Sequence, residues 1–147
     1  MKKKVLISGI TGQDGAFLAN HLLKSDDYQI VGTSRVGSSL AFEKKLLHLG
    51  LIPNKAENLN IVKCNLADPT DIDDLLEDFK PDYIYNLIGP GSVSESVRNP
   101  FDSSIAILSS FNNLVNSIIK TKRFPNFFQT SSSEMFKNSE NTPLDRS

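Results

Sequence analysis

Three glycines near the start of the chain, Gly9, Gly12 and Gly15, have the spacing of a phosphate-binding turn. They follow the apolar run 5–7 and precede an amphipathic stretch over 16–23, which predicts the order strand, glycine turn, helix. Gly9 allows a tight exit from the strand, Gly12 leaves room for the main chain to approach a pyrophosphate, and Gly15 lets the helix pack closely on the sheet. Because the N–H groups at the start of a helix attract anions, the segment predicts a dinucleotide-binding turn.

A hydroxyl and a carboxylate lie two residues apart late in the sequence, at Ser132 and Glu134. The preceding segment, 126–131, has the pattern of a strand, and in extended backbone residues two apart face the same way. A carboxylate can accept a proton while a hydroxyl polarises an oxygen or relays a proton, which suits proton transfer at a sugar carbon. The same spacing also fits a strand end whose hydroxyls cap backbone groups, with Glu134 in solvent. The residues alone leave both interpretations open.

The segment after the second predicted strand, 29–33, bears on which dinucleotide binds. A site for NAD usually has an acidic residue here to hold the ribose 2′-hydroxyl, yet no Asp or Glu occurs between Tyr28 and Phe42. Arg35 lies near the expected position, and a guanidinium pairs well with a 2′-phosphate. The pattern favours NADP over NAD, with a solvated surface arginine as the alternative.

Alternating strand and helix patterns surround these residues. Further strands are predicted over 59–64 and 82–88, and helices over 69–79 and 101–122, the first capped by Asp68. The connection over 44–58, which contains His48, is the least regular part of the chain. Strands that alternate with helices predict an α/β fold with a doubly wound, Rossmann-like parallel sheet, and ligands of such sheets lie over the carboxyl ends of the strands.

Composition narrows the classes of function. The 147 residues suffice for one domain, and the formal net charge is −1. The sequence contains no basic stripe interleaved with aromatic residues, so we do not expect a surface that binds nucleic acid. The apolar run after the N-terminal lysines is too short for a signal peptide or a membrane span. With one cysteine, Cys64, an internal disulfide is excluded, so we expect a cytoplasmic protein in which this thiol is a small buried residue. One Cys and two distant His residues form no metal-binding pattern.

With these residues in place, the chain resembles the extended short-chain dehydrogenase/reductase family, and within it the GDP-mannose 4,6-dehydratases. The resemblance extends over essentially the whole chain and rests on the segments 9–15, 35–39, 65–68, 86–92 and 132–134. It implies that NADP is held by a set of residues spread over four strand ends. These are Gly9, Thr11, Gly12, Gln13, Asp14, Gly15, Arg35, Ser38, Asn65, Leu66, Leu87, Ile88 and Gly89.

The resemblance also implies a reaction. In the family NADP takes a hydride from C4 of a GDP-linked hexose and returns it to C6, converting GDP-mannose to GDP-4-keto-6-deoxymannose. Glu134 would remove the C5 proton and Ser132 would assist loss of the C6 hydroxyl as water. The partners implied are a nucleotide sugar and a second copy of the chain, because the long helix over 101–122 belongs to a dimer bundle in many family members. Three single positions depart from the family pattern, since Asn65 replaces an aspartate, Asp102 a tyrosine and Ser132 a threonine, and the loop 88–92 differs at nearly every position.

The Tyr-x-x-x-Lys motif of the family is absent from these residues. The positions four after Tyr28, Tyr83 and Tyr85 are Gly32, Leu87 and Gly89. We therefore expect residues 1–147 to be an NAD(P)-binding Rossmann domain that stops before that motif, lacks the last strands and the sugar-binding domain, and is inactive alone. The alternatives are part of another nucleotide-sugar epimerase, reductase or decarboxylase, or a non-catalytic dinucleotide-binding or assembly module.

Overall fold

The computed structural model describes residues 1–35, 37, 39–51, 56–89 and 97–131. Within them strands and helices alternate along the chain. The strands are β1 (Lys3–Ser8), β2 (Tyr28–Ser34), β3 (Leu59–Lys63), β4 (Tyr83–Asn86) and β5 (Asn126–Gln129). The helices are α1 (Gln13–Leu22), α2 (Ser39–His48), α3 (Pro69–Phe79) and α4 (Pro100–Thr121), with a short 3-10 helix at Ala56–Asn58.

The five strands form one parallel sheet in the order β3-β2-β1-β4-β5. The chain winds outward from β1 to β3, then returns to β4 on the other side of β1, so the winding direction reverses between β1 and β4. The predicted doubly wound α/β fold is confirmed. Because ligands of such sheets lie where the winding reverses, the carboxyl ends of β1 and β4 are the place to look for a site.

Helices cover both faces of the central strands, and successive side chains of a strand point to opposite faces. Val5 and Ile7 of β1 pack into a cluster with α1 and α2, whereas Leu6 between them packs into a second cluster with α3 and α4. Each of the three is at most 1% exposed. This explains why β1 is a continuous apolar run, which is typical of central parallel strands.

Helix α3 begins and ends where the sequence predicts. Asp68 is its N-cap and accepts a hydrogen bond from the Thr70 N–H (2.9 Å), and Pro69 occupies the first helical position, where its missing N–H costs nothing. The helix ends at Phe79, after which Lys80 adopts the left-handed conformation at φ 53°. Its apolar stripe packs on the sheet beside α4, which also begins with a proline.

Several boundaries differ from the prediction. The connection over 44–58 is partly helical, because Phe42 and Leu46, one turn apart, bury 98% and 99% of their surface and hold α2 on the sheet. His48 is the last residue of α2 and not part of an irregular connection. Strands β4 and β5 end at Asn86 and Gln129, two residues before the predicted positions.

Candidate functional site

The glycine turn connects β1 to α1 at the carboxyl edge of the sheet. Gly9 has φ +76°, a left-handed conformation that only glycine adopts without strain. A Cβ added there would lie 3.1 Å from the carbonyl oxygen of Leu87, so the turn also fits against the chain that leaves β4. The structure therefore places the first predicted glycine next to Leu87, another predicted cofactor-binding residue.

The other two glycines allow the turn to close on itself. A Cβ added at Gly15 would lie 2.6 Å from the carbonyl oxygen of Gly9 and 2.6 Å from the Cα of Ile10, so α1 approaches the turn more closely than any side chain permits. Gly12 is exposed, and its N–H donates to the Gly9 carbonyl (2.9 Å). Gly12 thus presents bare main chain to solvent at the start of α1.

The N-terminus of α1 carries no side-chain cap. Gly12 is the N-cap residue with extended backbone (φ −71°, ψ 171°), and the first intrahelical hydrogen bond runs from the Ala16 N–H to the Gly12 carbonyl (3.0 Å). The N–H groups of Gln13 and Asp14 precede that bond and have no partner within the helix. Both residues are exposed, and Thr11 is half-buried beside them. This arrangement offers an anion several N–H donors together with the positive end of the helix dipole.

A row of four in-register polar residues crosses the sheet directly beneath this turn: Thr33, Ser8, Asn86 and Gln129, here called the polar row. Ser8 and Asn86 are 0% exposed, and Thr33 is 2% exposed. The Ser8 hydroxyl donates to Asn86 Oδ1 (2.7 Å), and Asn86 Nδ2 donates to Gln129 Oε1 (2.7 Å). Sequence reasoning noted Asn86 within a family segment but missed Ser8 and Gln129; a polar residue at the end of each apolar strand was the available signal.

The end of β2 carries the predicted 2′-phosphate residue. Arg35 is exposed directly after Ser34, which pairs in register with Lys63 of β3. Gly37 has φ +62°, and a Cβ there would lie 2.6 Å from Lys63 Cβ, so this turn lies against the end of β3. Lys63 is also exposed, which brings a second cation, missed by the sequence analysis, to the same edge. Ser38 lies outside the described residues.

The segment after β3 is organised by its own side chains. Asn65 Oδ1 accepts from the Ala67 N–H (3.2 Å) and the Asn65 N–H donates to Asp71 Oδ2 (2.8 Å), which fixes a local turn. The predicted adenine neighbour Leu66 is only 4% exposed and packs in the core, with its carbonyl accepting from Asn113 Nδ2 (3.0 Å). Its side chain therefore supports the segment from below, while exposed Asn65 faces solvent.

The residues that follow β4 lie beside the glycine turn. The Leu87 N–H donates to the Ser8 carbonyl (3.1 Å), which continues the β1–β4 pairing by one residue. Leu87 and Ile88 are half-buried against opposite core clusters, and Gly89 is exposed. The rest of the predicted loop, 90–92, lies outside the described residues. So do the predicted catalytic residues Ser132 and Glu134, although β5 and Thr130 lead toward them.

The one cysteine of the sequence supports the core. Cys64 follows β3 and is 4% exposed. Burial, and to a smaller extent the carboxylates of Asp71 and Asp68, raise the pKa of its thiol from 9.0 to about 11. A thiol that stays protonated is a poor nucleophile. Cys64 is therefore a buried packing residue, as predicted, in keeping with its place beside Leu66.

Features away from the strand ends have no evident chemistry. A cavity of about 360 Å³ lies between the ends of α3 and α4, lined by the Lys120–Asp73 ion pair (2.7 Å) among other charged residues. The Lys120 ammonium, which donates to the carboxylate, lowers the pKa of Asp73. Among the described residues no group of three potential metal ligands occurs. No described helix is both long and apolar enough to cross a bilayer.

The strand order and the glycine turn define a Rossmann-like α/β protein. A family model described as GDP-mannose 4,6 dehydratase matches residues 6–147. The chain belongs to the GDP-mannose 4,6-dehydratase family, and the recognition made from its motifs is confirmed. This membership places it among proteins related to enzymes of nucleotide-sugar metabolism.

Individual relatives agree with this assignment. The chain is 30% identical over 147 residues to a GDP-mannose 4,6-dehydratase of Vibrio cholerae, covering 97% of this chain and 39% of that protein. It is 35% identical to the Drosophila melanogaster enzyme, covering 96% and 36%. A UDP-N-acetylglucosamine 4-epimerase structure from Methanobrevibacter ruminantium superposes with a TM-score of 0.74 at 26% identity, covering 100% of this chain and 44% of that one. The chain thus spans about two fifths of the length of these relatives.

Proposed function

We propose that residues 1–147 form the NADP-binding part of a nucleotide-sugar dehydratase that converts GDP-mannose to GDP-4-keto-6-deoxymannose. The observation that carries this proposal is the start of α1, which has no side-chain cap, together with the glycines Gly9, Gly12 and Gly15 around it. An added Cβ would lie within 3.1 Å of a main-chain carbonyl oxygen at each of these glycines, and Gly12 also presents bare backbone to solvent. The residues present fit a bound diphosphate, because N–H donors converge where no side chain competes.

NADP binding is the more specific part of the proposal. Arg35 would contact the 2′-phosphate, and Lys63, at the adjoining strand end, would add a second positive charge. Asn65 and the main chain at Leu87–Gly89 would border the adenine and the nicotinamide ribose. When bound, the nicotinamide supplies reversible hydride transfer. The chain's own contribution is to hold the diphosphate on N–H groups and to orient the two ends of the dinucleotide.

The proton-transfer groups would follow β5. Glu134 would accept a proton from the sugar carbon next to the oxidised one, and the Ser132 hydroxyl would donate toward the departing hydroxyl. These roles come from family membership and from the position of the segment just after Thr130. No tyrosine of the 147 residues is followed four positions later by lysine, so we expect no 4-keto sugar from this chain alone. Its appearance in an assay with GDP-mannose and NADP would contradict the role given to that motif.

Calorimetric titration of NADP⁺ and NAD⁺ into the 147-residue chain tests the cofactor proposal. Arg35→Ala should weaken NADP⁺ by about 10- to 100-fold, the worth of a hydrogen bond to a charged group, and leave NAD⁺ unchanged. Gly12→Ala should weaken both, because its methyl group would lie 3.1 Å from the Gly9 carbonyl oxygen and add a side chain at the exposed start of α1. Arg123→Ala, which removes an exposed cation at the opposite edge of the sheet, is the matched control. Equal losses for both dinucleotides in Arg35→Ala would refute the phosphate role.

Self-association through α4 is the remaining part of the proposal. Phe101, Ile105 and Leu108 follow a helical repeat and are 75%, 45% and 59% exposed. A contiguous apolar stripe of this kind favours an interface, and we propose a second copy of the chain as its partner. Light scattering should show a larger species that Leu108→Lys reduces. Leu47→Lys, at a 74% exposed position of α2, should leave it unchanged. A monomer at high concentration would oppose the proposal, as would equal effects of both variants.

The free, buried Cys64 is consistent with a reducing cytoplasm.

A further inference from the structure

In β1, β4 and β5 the polar row directly follows a row of large apolar and aromatic side chains. In the row below it, Ile7 is 0% exposed and pairs with Tyr85, which contacts Phe128 with a ring-centroid distance of 5.8 Å. One residue further on, the side chains are a hydroxyl and two amides, with Asn86 completely buried. Burying polar groups costs free energy that apolar residues of similar size would not, so their value lies in the geometry that their hydrogen bonds specify.

The hydrogen bonds of the polar row run in one direction across three strands. The Ser8 hydroxyl donates to the Asn86 side chain, which donates to Gln129 Oε1, and Gln129 Nε2 in turn donates to the Thr130 carbonyl (3.0 Å). An amide suits both middle positions, because each must accept on one side and donate on the other. The chain of bonds begins at the residue before Gly9 and ends at the residue after β5.

Asn86 also binds Thr130 through its main chain. Its carbonyl oxygen accepts from the Thr130 N–H (3.1 Å) and from the Thr130 hydroxyl (3.0 Å). Thr130 is therefore fixed by three hydrogen bonds, two to Asn86 and one from Gln129. Since β5 is an edge strand among the described residues, with β4 as its neighbour, this clamp sets the direction in which the chain leaves the sheet.

We propose that Gln129 is a positioning residue: acting through Asn86, it couples the glycine turn to the residues that follow β5. This inference rests on the proposed function, in which a diphosphate binds at the glycine turn and the proton-transfer residues follow Thr130. An anion bound at the turn would act on the buried Ser8 through the main chain of Gly9, which follows it, and the directional bonds would transmit the change to Thr130. Binding of the dinucleotide would then affect the direction in which the chain leaves the sheet at Thr130.

The test uses ADP, which has the diphosphate but no nicotinamide that could touch β5 directly. In ¹⁵N–¹H spectra of the 147-residue chain, ADP should shift the amide signals of both Gly12 and Thr130. Gln129→Met removes the amide, and Gln129→Glu keeps an acceptor for Asn86 but no donor for the Thr130 carbonyl. In both variants Gly12 should shift with wild-type affinity while the Thr130 shift is lost. Asn126→Asp, an amide-to-acid change at the other end of β5, should keep both shifts.

The outcomes separate the two proposals. A wild-type Gly12 shift without a Thr130 shift, or a Thr130 shift that survives in both Gln129 variants, would overturn the coupling and leave the binding site standing. No shift at Gly12 would overturn the proposed diphosphate site and the coupling with it.

A measurement without ligand tests only the hydrogen bonds that hold Thr130. Hydrogen exchange at the Thr130 amide should be at least about 10-fold faster in Gln129→Met, at equal global stability by urea unfolding. Unchanged exchange would refute the positioning role whatever ADP does.

Discussion

Replacing Gly15 by alanine should destabilise the protein although the residue lies in a helix. Alanine is favoured over glycine in helices by about 1 kcal/mol, so propensity alone predicts a gain. The added methyl group, however, would lie within 2.9 Å of three main-chain atoms of Gly9 and Ile10. Main chain cannot move aside as a flexible side chain can, which places the overpacking cost toward the upper part of the usual range, about 2–3 kcal/mol.

The expected net loss is therefore about 1–2 kcal/mol, equivalent to a melting temperature lower by about 2–8 °C for a domain of this size. Urea unfolding and thermal melts followed by circular dichroism measure both quantities. Gly89→Ala is the matched control, because no atom of the described residues lies within 4 Å of its added Cβ and its φ is not positive. That variant should be neutral, or more stable by up to about 1 kcal/mol through loss of unfolded-state entropy. If Gly15→Ala is as stable as Gly89→Ala, α1 does not approach the turn as closely as described.

Three further predictions concern the support of the site. An added Cβ at Gly32 would lie 2.3 Å from Ile10 Cδ1, so Gly32→Ala should destabilise the protein. Ile10→Ala should cost less stability in the Gly32→Ala background than in the wild type. Additive losses in a double-mutant cycle, measured by urea unfolding, would contradict this contact. Asp68→Ala should cost about 1 kcal/mol and Asp68→Ser much less, because the side chain caps α3 at the Thr70 N–H; equal losses in thermal melts would refute the cap. Because the pKa of Cys64 is raised to about 11, its thiolate fraction at pH 8 should be about 100-fold below that of the unfolded chain, measured by reaction with a thiol reagent. Above pH 9 the unfolded thiol ionises first, so the free energy of unfolding should fall toward pH 11, and Cys64→Ala should remove that part of the pH dependence.

The sequence by itself predicted the fold class because its strongest signals are local. An apolar run followed by three spaced glycines and a helical pattern can form only a few structures, and β1, the turn and α1 are where they were expected. Asp68 with Pro69 marked the start of α3 for the same reason: caps and first-turn residues act on neighbours within one turn. Helix α2 was missed because its short apolar repeat, Phe42 and Leu46, gains its meaning only from the sheet that buries it.

Tertiary structure alone decided which residues meet across strands. Ser8, Asn86 and Gln129 are separated by 78 and 43 residues in sequence, and only the register of β1, β4 and β5 brings their side chains within 2.7 Å. The contact of Gly9 with Leu87 and the approach of Lys63 to the turn after Arg35 have the same origin. Parallel pairing joins strands that are distant along the chain, so no local pattern encodes the partners, whereas the ends of the strands that carry them can be found in the sequence.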